Sequence, residues 1–236
     1  MKKYLWAAVS SIAFMASASA ADLVPDFRSP VYQNWSGFYV GVDVGSAWGN
    51  NIWNDAFDAS FSTSYSMSGV LAGVHGGWNY QTGPIVIGVE GNLDYTNARG
   101  SVALTNEVGE NLGGSANLAS TMNWVATFVG RGGVANGSTL YYVVAGMAVM
   151  GEQHTAEVSF APGALLFQQT VRTSRSGYVL GFGAEFAVYQ NWSAKLEYNY
   201  MDFGKTGLAF PNVEGESVTL DQQVHVVKLG ISYSFR

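Results

Sequence analysis

The sequence of 236 residues has no cysteine, only 5 prolines, and charged residues at 12% of the chain. Without thiols it can form neither a disulfide framework nor a cysteine-ligated metal site. Low charge combined with 14% aromatic residues argues against intrinsic disorder. The net charge of −6 argues against nucleic-acid binding, because neutralising phosphates needs a basic surface. What remains is an ordered chain with the length of one domain.

The first twenty residues predict a secretory signal peptide. Lys2 and Lys3 precede an apolar run from Leu5 to Met15, and Ala18-Ser19-Ala20 supplies small residues for cleavage. This run is too short for a membrane anchor, which needs about 20 apolar residues. We therefore predict a signal peptide over 1–20, a short extension over 21–34 and a folded domain over 35–236.

After residue 20 no window holds 18 consecutive apolar residues, which excludes spanning helices. Glycines recur within the apolar segments and disfavour helices there. Period-two alternation instead predicts eight strands, with apolar residues on one face and glycine or charge on the other. Both faces of the segment 140–150 are apolar, so the sequence does not show which face of this strand points inward. The predicted strands cover 38–48, 70–80, 85–95, 123–134, 140–150, 177–188, 192–203 and 224–235.

The connections between these strands alternate strictly between short and long. The short links at 81–84, 135–139 and 189–191 are rich in turn formers, whereas the segments 49–67, 96–121, 151–176 and 204–222 are long. Outer-membrane barrels have short periplasmic turns, long extracellular loops and aromatic girdles at both interfaces. Aromatic residues flank both ends of the strands, including Trp35 at the short turns and Phe203 at the long loops.

These patterns predict an all-β fold, namely an eight-stranded antiparallel outer-membrane β-barrel with up-and-down meander topology. The first and the last of the seven connections are long loops, so the chain begins and ends on the side of the short turns. Both termini, and the 21–34 extension, are therefore predicted to lie in the periplasm. The predicted location is the cell outer membrane of a Gram-negative bacterium.

Four stretches resemble the porin-like outer-membrane β-barrel proteins of alphaproteobacteria. They are WSGFYVGVDVGSAWG at 35–49, MNWVATFVGRGGVANGSTLYYVVAGMAV at 122–149, GYVLGFGAEFAVYQNWSAKLEYNYMDFG at 177–204 and HVVKLGISYSF at 225–235. The resemblance implies a surface antigen of a family in which some members are described as porins and some as hemin-binding proteins. Such barrels usually end on an aromatic residue read by the assembly machinery. Here Arg236 follows Phe235, so we expect the face with Tyr233 and Phe235 to serve as the assembly signal.

Charged residues on the inward faces predict a ring of alternating charge in the lumen, which would act as a plug because an eight-stranded barrel is narrow. Strand order makes neighbours of Glu90 and Arg131, of Glu185 and Lys195, and of Glu197 and Lys228, and barrel closure brings Lys228 beside Asp43. The predicted members are Asp43, His75, Glu90, Arg131, Glu185, Lys195, Glu197 and Lys228. The alternative is a wet lumen in which each charge is separately hydrated.

Enzymatic and metal-dependent functions find little support in the sequence. No G-x-S-x-G motif occurs, no two histidines have ligand spacing, and His75 is interpreted as a satisfied interior histidine. We therefore predict no catalytic residues, no metal site and no resident cofactor.

Two readings of the function stay open. The first is a structural surface barrel that contributes to envelope integrity, with a weak porin activity left open. The second is hemin or host-surface binding through the outer loops, with His154 as an axial ligand and Arg172 and Arg175 for the propionates. Expected partners are outer-membrane lipids, lipopolysaccharide and the barrel-assembly machinery, whereas the oligomeric state cannot be read from the sequence.

Overall fold

A computed structural model of the chain describes residues 33–54, 62–104, 114–160, 165–209 and 217–235. The predicted signal peptide, and all but the last two residues of the predicted extension, lie outside these ranges. Among the described residues no helix is long and apolar enough to cross a membrane. The strands are β1 Gly37–Asn54, β2 Ser62–Thr82, β3 Ile85–Thr96, β4 Arg99–Leu104, β5 Gly114–Asn136, β6 Thr139–Phe160, β7 Leu165–Tyr189, β8 Trp192–Ala209 and β9 Ser217–Phe235.

The strands form one closed antiparallel sheet. β1 pairs with β2 on one side and with β9 on the other, which closes the barrel. β3 and β4 both lie between β2 and β5, so together they form one barrel strand interrupted at Asn97 and Ala98. At the interruption the Ala98 N–H donates to Thr96 Oγ1 at 3.2 Å. The predicted eight-stranded meander is confirmed, with a break in its third strand.

Apolar residues occupy the outward positions, as the period-two pattern predicts. Val42, Val74 and Ile231 expose 57%, 55% and 53% of their surface. A continuous apolar exterior of this kind is typical of a barrel in lipid. The orientation of β6, which the sequence left open, is also resolved, because Tyr141 and Val143 point outward and Tyr142 and Val144 point inward.

Two aromatic residues predicted for the girdles are instead buried. Trp35 precedes β1 and shares the odd-numbered parity of the inward residues Tyr39 and Asp43, and its backbone N–H donates to Gln81 Oε1 at 2.6 Å. Phe203 is an odd-numbered residue of β8, whose outward positions are even-numbered, so it points inward. Phe203 was therefore assigned against the parity of its own strand.

Two-residue turns join β2 to β3, β5 to β6 and β7 to β8, at 83–84, 137–138 and 190–191. Gly83 and Gly137 adopt positive φ angles of 57° and 60°, and Gln190 adopts 43°. We call this end of the barrel the turn end and the opposite end the loop end. These turns lie within the short links that the sequence predicts.

At the loop end the strands run well past the predicted limits. β5, β6 and β7 contain 23, 22 and 25 residues, whereas the apolar alternation marked only 11 or 12. The predicted long segments 49–67, 96–121, 151–176 and 204–222 are therefore largely paired strand within the described residues. Alternation marks only the part of a strand that faces lipid, and a polar continuation can keep the same backbone pairing.

The barrel wall divides at the loop end into two four-stranded sheets. The β7–β8 ladder ends at Tyr178 and Asp202, and beyond it β7 pairs with β6 while β8 pairs with β9. On the opposite side β2 meets β4 only at Ser68 and Arg99. One sheet contains β8, β9, β1 and β2, and the other contains β4, β5, β6 and β7. We call the split between β7 and β8 the fork.

Candidate functional site in the barrel interior

All eight residues predicted for the lumen ring lie on the inward face and are buried. The most exposed of them show only 4% of their surface, and Lys228 shows none. Asp94, with 1% exposed, lies among them although the prediction omitted it. We call these nine residues the charge ring. They comprise five carboxylates, three cations and one histidine, namely Asp43, Glu90, Asp94, Glu185, Glu197, Arg131, Lys195, Lys228 and His75.

Arg131 is the centre of the largest cluster in the ring. Its Nη1 lies 3.7 Å from Glu90 Oε2, and its Nη2 donates to Glu185. The Tyr39 hydroxyl accepts from Arg131 Nη1 at 3.2 Å and donates to Glu90 Oε2 at 2.7 Å. The guanidinium also lies over the Tyr142 ring, with Cζ 3.7 Å from the centroid. Glu90 and Arg131 are thus in contact, as the sequence predicts, and two tyrosines complete the surroundings of the guanidinium.

Lys195 does not pair with Glu185, which lies opposite it in the β7–β8 register. Its Nζ lies instead 3.0 Å from Glu90 Oε1 and 3.6 Å from Asp43 Oδ1, across the lumen. The two residues are neighbours in the sheet, as the sequence predicts, but each forms its ion pair with another residue. The physical reason is that Arg131 already holds Glu185 and that a lysine side chain is long enough to reach the far wall of a narrow barrel.

Lys228 also departs from one predicted partner. Its Nζ lies 3.9 Å from Glu197 Oε1, the expected neighbour, but 3.4 Å from Asp94 Oδ2 and 3.0 Å from Asn92 Oδ1. In the β1–β9 register Lys228 stands opposite Gly45 rather than Asp43. Its side chain extends toward β3, so Asp43 is left to Lys195 and His75.

Two of the residues missed by the prediction show what the sequence could and could not reveal. Asp94 alternates in step with Glu90 on β3, so its inward orientation was readable from parity alone. Tyr142, whose hydroxyl donates to Glu197 Oε2 at 2.8 Å, lies on a segment that is apolar on both faces. No sequence signal distinguished its inward face.

Gly73 leaves space for one of the carboxylates, that of Asp94. It lies opposite Asp43 on one side and Asp94 on the other in the β1–β2–β3 register. A Cβ atom at Gly73 would collide with Asp94 Oδ1 and with backbone atoms of β3. The missing side chain therefore leaves room for the Asp94 carboxylate in the lumen.

His75 connects an aspartate to a serine. Its Nδ1 lies 2.7 Å from Asp43 Oδ2, and its Nε2 lies 2.8 Å from Ser232 Oγ. This is the connectivity of a serine–histidine–aspartate hydrolase triad. However, the side chains of Asp43 and His75 are fully inaccessible, and Ser232 exposes none of its surface. The hydrogen bonds agree with the interpretation of His75 as a satisfied interior histidine.

A second level of the interior, on the loop-end side of the charge ring, is filled by apolar side chains. None of them exposes more than 4% of its surface. Methionine is prominent, and its flexible side chain suits irregular spaces. We call this set the apolar layer, which comprises Ala47, Met67, Leu71, Met122, Ala148, Met150, Val179, Met201, Phe203, Val224 and Val226.

A small polar group closes the apolar layer toward the loop end. Gln222 Nε2 donates to Glu152 Oε1 at 2.5 Å, and Arg175 Nη1 donates to Gln222 Oε1 at 2.8 Å. Arg175 Nη2 also donates to the carbonyl oxygens of Phe203 at 3.4 Å and of Gly204 at 2.8 Å. Arg175 thus hydrogen-bonds backbone groups of β8 at the fork, where the β7 ladder has ended.

The three residues predicted for hemin are distributed over two strands. Arg172 is exposed on the outward face of β7, whereas Arg175 is buried on its inward face. The alternation of β7 therefore separates the two arginines. His154 lies in β6, paired with Val171 of β7 and Ser120 of β5, rather than in a loop, and its side chain lies outside the described part of the structure.

The residues of the predicted assembly signal lie on the outward face of β9 at the turn end. The rings of Tyr233 and Phe235 meet edge to face at 5.2 Å, and Tyr233 meets Trp192 of β8 in the same way at 5.2 Å. Arg236 lies outside the described residues. Within the described ranges, no group of three histidine, aspartate or glutamate side chains is arranged to hold a metal ion.

A closed antiparallel sheet with an apolar exterior and a filled interior defines a small outer-membrane β-barrel. Residues 7–235 match the family described as outer membrane protein beta-barrel domain, and the chain belongs to that family. The resemblance that the sequence motifs indicate is therefore confirmed, and the protein is an outer-membrane protein.

Individual relatives agree with this assignment. The chain is 29% identical over 253 residues to the 31 kDa outer-membrane immunogenic protein of Brucella melitensis, with full coverage of both. It is 28% identical over 159 residues to the 22 kDa outer membrane protein of Rhizobium leguminosarum, covering 67% of this chain and 63% of that protein. The crystal structure of OprG from Pseudomonas aeruginosa superposes with a TM-score of 0.54 at 14% identity, covering 85% of this chain and 97% of OprG. At that identity the last comparison shows the fold alone.

Proposed function

We propose that the protein is a closed, non-catalytic surface barrel that contributes to the integrity of the outer membrane. The observation that carries this proposal is the double filling of the interior. In the charge ring and in the apolar layer, no member exposes more than 4% of its surface. A water-filled pore would leave lumen side chains accessible, and eight strands enclose only enough space for side chains.

Single-channel recording of the refolded full-length mature chain in planar bilayers tests this proposal. We expect no steady conductance, because a permeating ion would have to displace both the paired charges and the apolar layer. A porin refolded and inserted by the same procedure controls for insertion. Stable open-pore currents from this protein would overturn the closed-barrel proposal and support the weak porin activity that the sequence left open.

The enclosed Ser232–His75–Asp43 arrangement supports a structural role over hydrolysis. A catalytic serine must meet its substrate, and these side chains are sealed within the interior. We expect no lipid deacylation and no labelling of Ser232 by a fluorophosphonate probe in the folded protein. Labelling that disappears in Ser232→Ala would contradict the assignment as a non-enzyme.

We further propose that the termini and the turn end face the periplasm, because short turns on that side are typical of outer-membrane barrels. The absence of cysteine makes single-cysteine labelling clean. A membrane-impermeant maleimide should label Thr170→Cys on intact cells, and Ser138→Cys only after the outer membrane is opened. Both positions are exposed, so accessibility is matched. The reverse labelling pattern would overturn this orientation.

Lipopolysaccharide is the surface partner that we propose for the outward face. Arg99 and Arg172 are exposed on that face toward the loop end, and arginine binds phosphate well. The double substitution of both by glutamine should lower the amount of lipopolysaccharide that purifies with the barrel, without lowering its folded fraction. Unchanged lipopolysaccharide would remove the proposal.

Hemin binding stays a prediction, and the opposite orientations of Arg172 and Arg175 remove one geometric reason for it. Titration of hemin into the folded protein, with His154→Ala as the comparison, is its direct test. A Soret shift that His154→Ala abolishes would support the prediction, and an unchanged wild-type spectrum would remove it.

A further inference from the structure

Toward the loop end, β8 no longer pairs with one edge of β7. Residues 165–177 pair with β6 on one side, but among the described residues no strand pairs with the other side. β8 leaves β7 after Asp202, where Gly204 adopts a positive φ of 62° and the chain bulges before Lys205. Backbone amide and carbonyl groups on every second residue of this segment therefore point away from the sheet.

The fork is built into the structure by specific side chains. The Gly204 N–H donates to Asp202 Oδ1 at 2.8 Å, which supports the bulge. Arg175 supplies donors to the carbonyl oxygens of Phe203 and Gly204 that a continuing β7 ladder would otherwise supply. The backbone carbonyl groups of Phe203 and Gly204 on β8 thus have hydrogen-bond donors without pairing to β7. The backbone groups on the β7 edge are left open.

The open edge has few of the devices that usually protect edge strands. Natural edges are blunted with proline, charged side chains or bulges. The segment LLFQQTVRTSRSG contains no proline, its only charged residues are two arginines, and its register against β6 shifts at Leu166 but is continuous from Phe167 to Gly177. Such an edge is a template for another extended chain.

We infer that the β7 edge at residues 165–177 binds an extended polypeptide segment with acidic side chains by β-strand addition. The segment has no acidic residue and presents the exposed Arg172, whereas Arg175 is buried and bonded to Gln222 and to β8. A second copy fits less well, because two barrels inserted in the same direction carry their β7 strands in the same sense and cannot form the antiparallel pairing used throughout this sheet. Exposure of this edge to the cell exterior rests on the proposed orientation.

Hydrogen–deuterium exchange on the refolded full-length mature chain in detergent tests the inference. The probe is a synthetic peptide of the same length as the edge, alternating threonine and valine, with glutamates placed opposite Arg172. The control is the same peptide N-methylated throughout, which cannot donate backbone hydrogen bonds. We expect the unmodified probe to slow exchange about tenfold or more in roughly half of the amides of 165–177, with no change over β3.

Each alternative gives a distinct result. Slow exchange of all amides of 165–177 without any peptide would mean that another part of this chain or a second copy already covers the edge, and would overturn the inference. A dependence of that protection on protein concentration would identify the second copy. Equal protection by the unmodified and the N-methylated peptide, or none by either, would also overturn it.

Variants separate edge binding from folding. Thr173→Pro and Ser174→Pro remove N–H groups on opposite sides of the strand, so one disturbs the β6 ladder and the other only the open edge. A heat-modifiability gel identifies the folded variant, and that variant should lose probe binding.

If neither proline variant folds, Arg172→Glu serves instead. It should weaken binding of the acidic probe about tenfold and favour a probe with lysine in place of glutamate, and indifference to both would overturn the acidic-partner inference.

A fluorescent form of the probe on intact cells separates this inference from the proposed orientation. Binding to cells as well as in detergent supports both strand addition and the outward orientation of the loop end. Binding in detergent without binding to cells would overturn the outward orientation of the loop end and leave strand addition intact.

Discussion

The charge ring and the apolar layer fill adjacent levels of one barrel with opposite kinds of side chain. The ring depends on directed contacts, such as Lys195 Nζ to Glu90 Oε1 at 3.0 Å, between groups that are costly to remove from water. The layer depends on methionine and other apolar side chains, which fill space without directional demands. We infer that the ring fixes which strand positions face one another, whereas the layer excludes water.

The two levels should therefore respond differently to substitution. In the ring, the identity of a partner matters more than its volume, because a carboxylate that loses its cation stays buried and uncompensated. In the layer, volume matters more than identity, because a similar apolar side chain restores most of the packing. Three substitutions test this difference, from the largest expected effect to the smallest.

Removing the central cation of the ring should have the largest effect. We expect Arg131→Ala to lower the free energy of unfolding by about 3–5 kcal/mol, because Glu90 and Glu185 lose a buried partner. Urea unfolding in lipid vesicles measures this loss. Arg99→Ala removes an exposed arginine from the same barrel and should change stability by only about 0.5 kcal/mol or less.

Adding a second change to Arg131→Ala identifies the stronger partner of Arg131. Adding Glu185→Gln to Arg131→Ala should recover more stability than adding Glu90→Gln. Glu90 keeps Lys195, whereas Glu185 is left with the Ser193 hydroxyl at 2.5 Å. Equal effects of Arg131→Ala and Arg99→Ala would show that the ring charges are separately hydrated, as in the wet-lumen alternative.

The sequence predicts the ring members better than their contacts. Parity along each strand places Asp43, Glu90 and Lys228 inward, because the side-chain period of a strand is two. Contacts across the lumen depend on barrel tilt and side-chain length, which alternation does not encode. The reach of Lys195 to Glu90 is therefore visible only in the structure.

The loop end was predicted less well than the membrane-facing wall. Apolar alternation reports contact with lipid and ends where the lipid ends. It therefore could not reveal residues 165–177 of β7, which pair with β6 on the loop-end side of Tyr178. The fork depends on Asp202, Gly204 and Arg175 acting together. No single one of these residues marks a fork in a sequence.

In the apolar layer, comparing a shortened side chain with one of similar size tests whether volume matters more than identity. Met201 is 1% exposed, and Met201→Ala should cost about 2–5 kcal/mol through lost packing and a cavity. Met201→Leu should cost less than about 1.5 kcal/mol, because volume is nearly conserved. The same urea titrations measure both. A leucine variant as unstable as the alanine variant would show that this layer has the directional demands we assign only to the ring.

The smallest of the three effects tests the space that Gly73 leaves for Asp94. In Gly73→Ala the new methyl group would collide with Asp94 Oδ1 and the β3 backbone, and we expect a loss of about 1–3 kcal/mol from overpacking. Gly132→Ala is the matched control, because a Cβ at Gly132 meets nothing within 4 Å, and alanine there should be neutral or stabilising by about 0.5–1 kcal/mol. The difference between the two variants removes the common effect of replacing a strand glycine. If the two variants unfold at the same urea concentration, Asp94 does not need the vacant position at Gly73, and this glycine does not shape the charge ring.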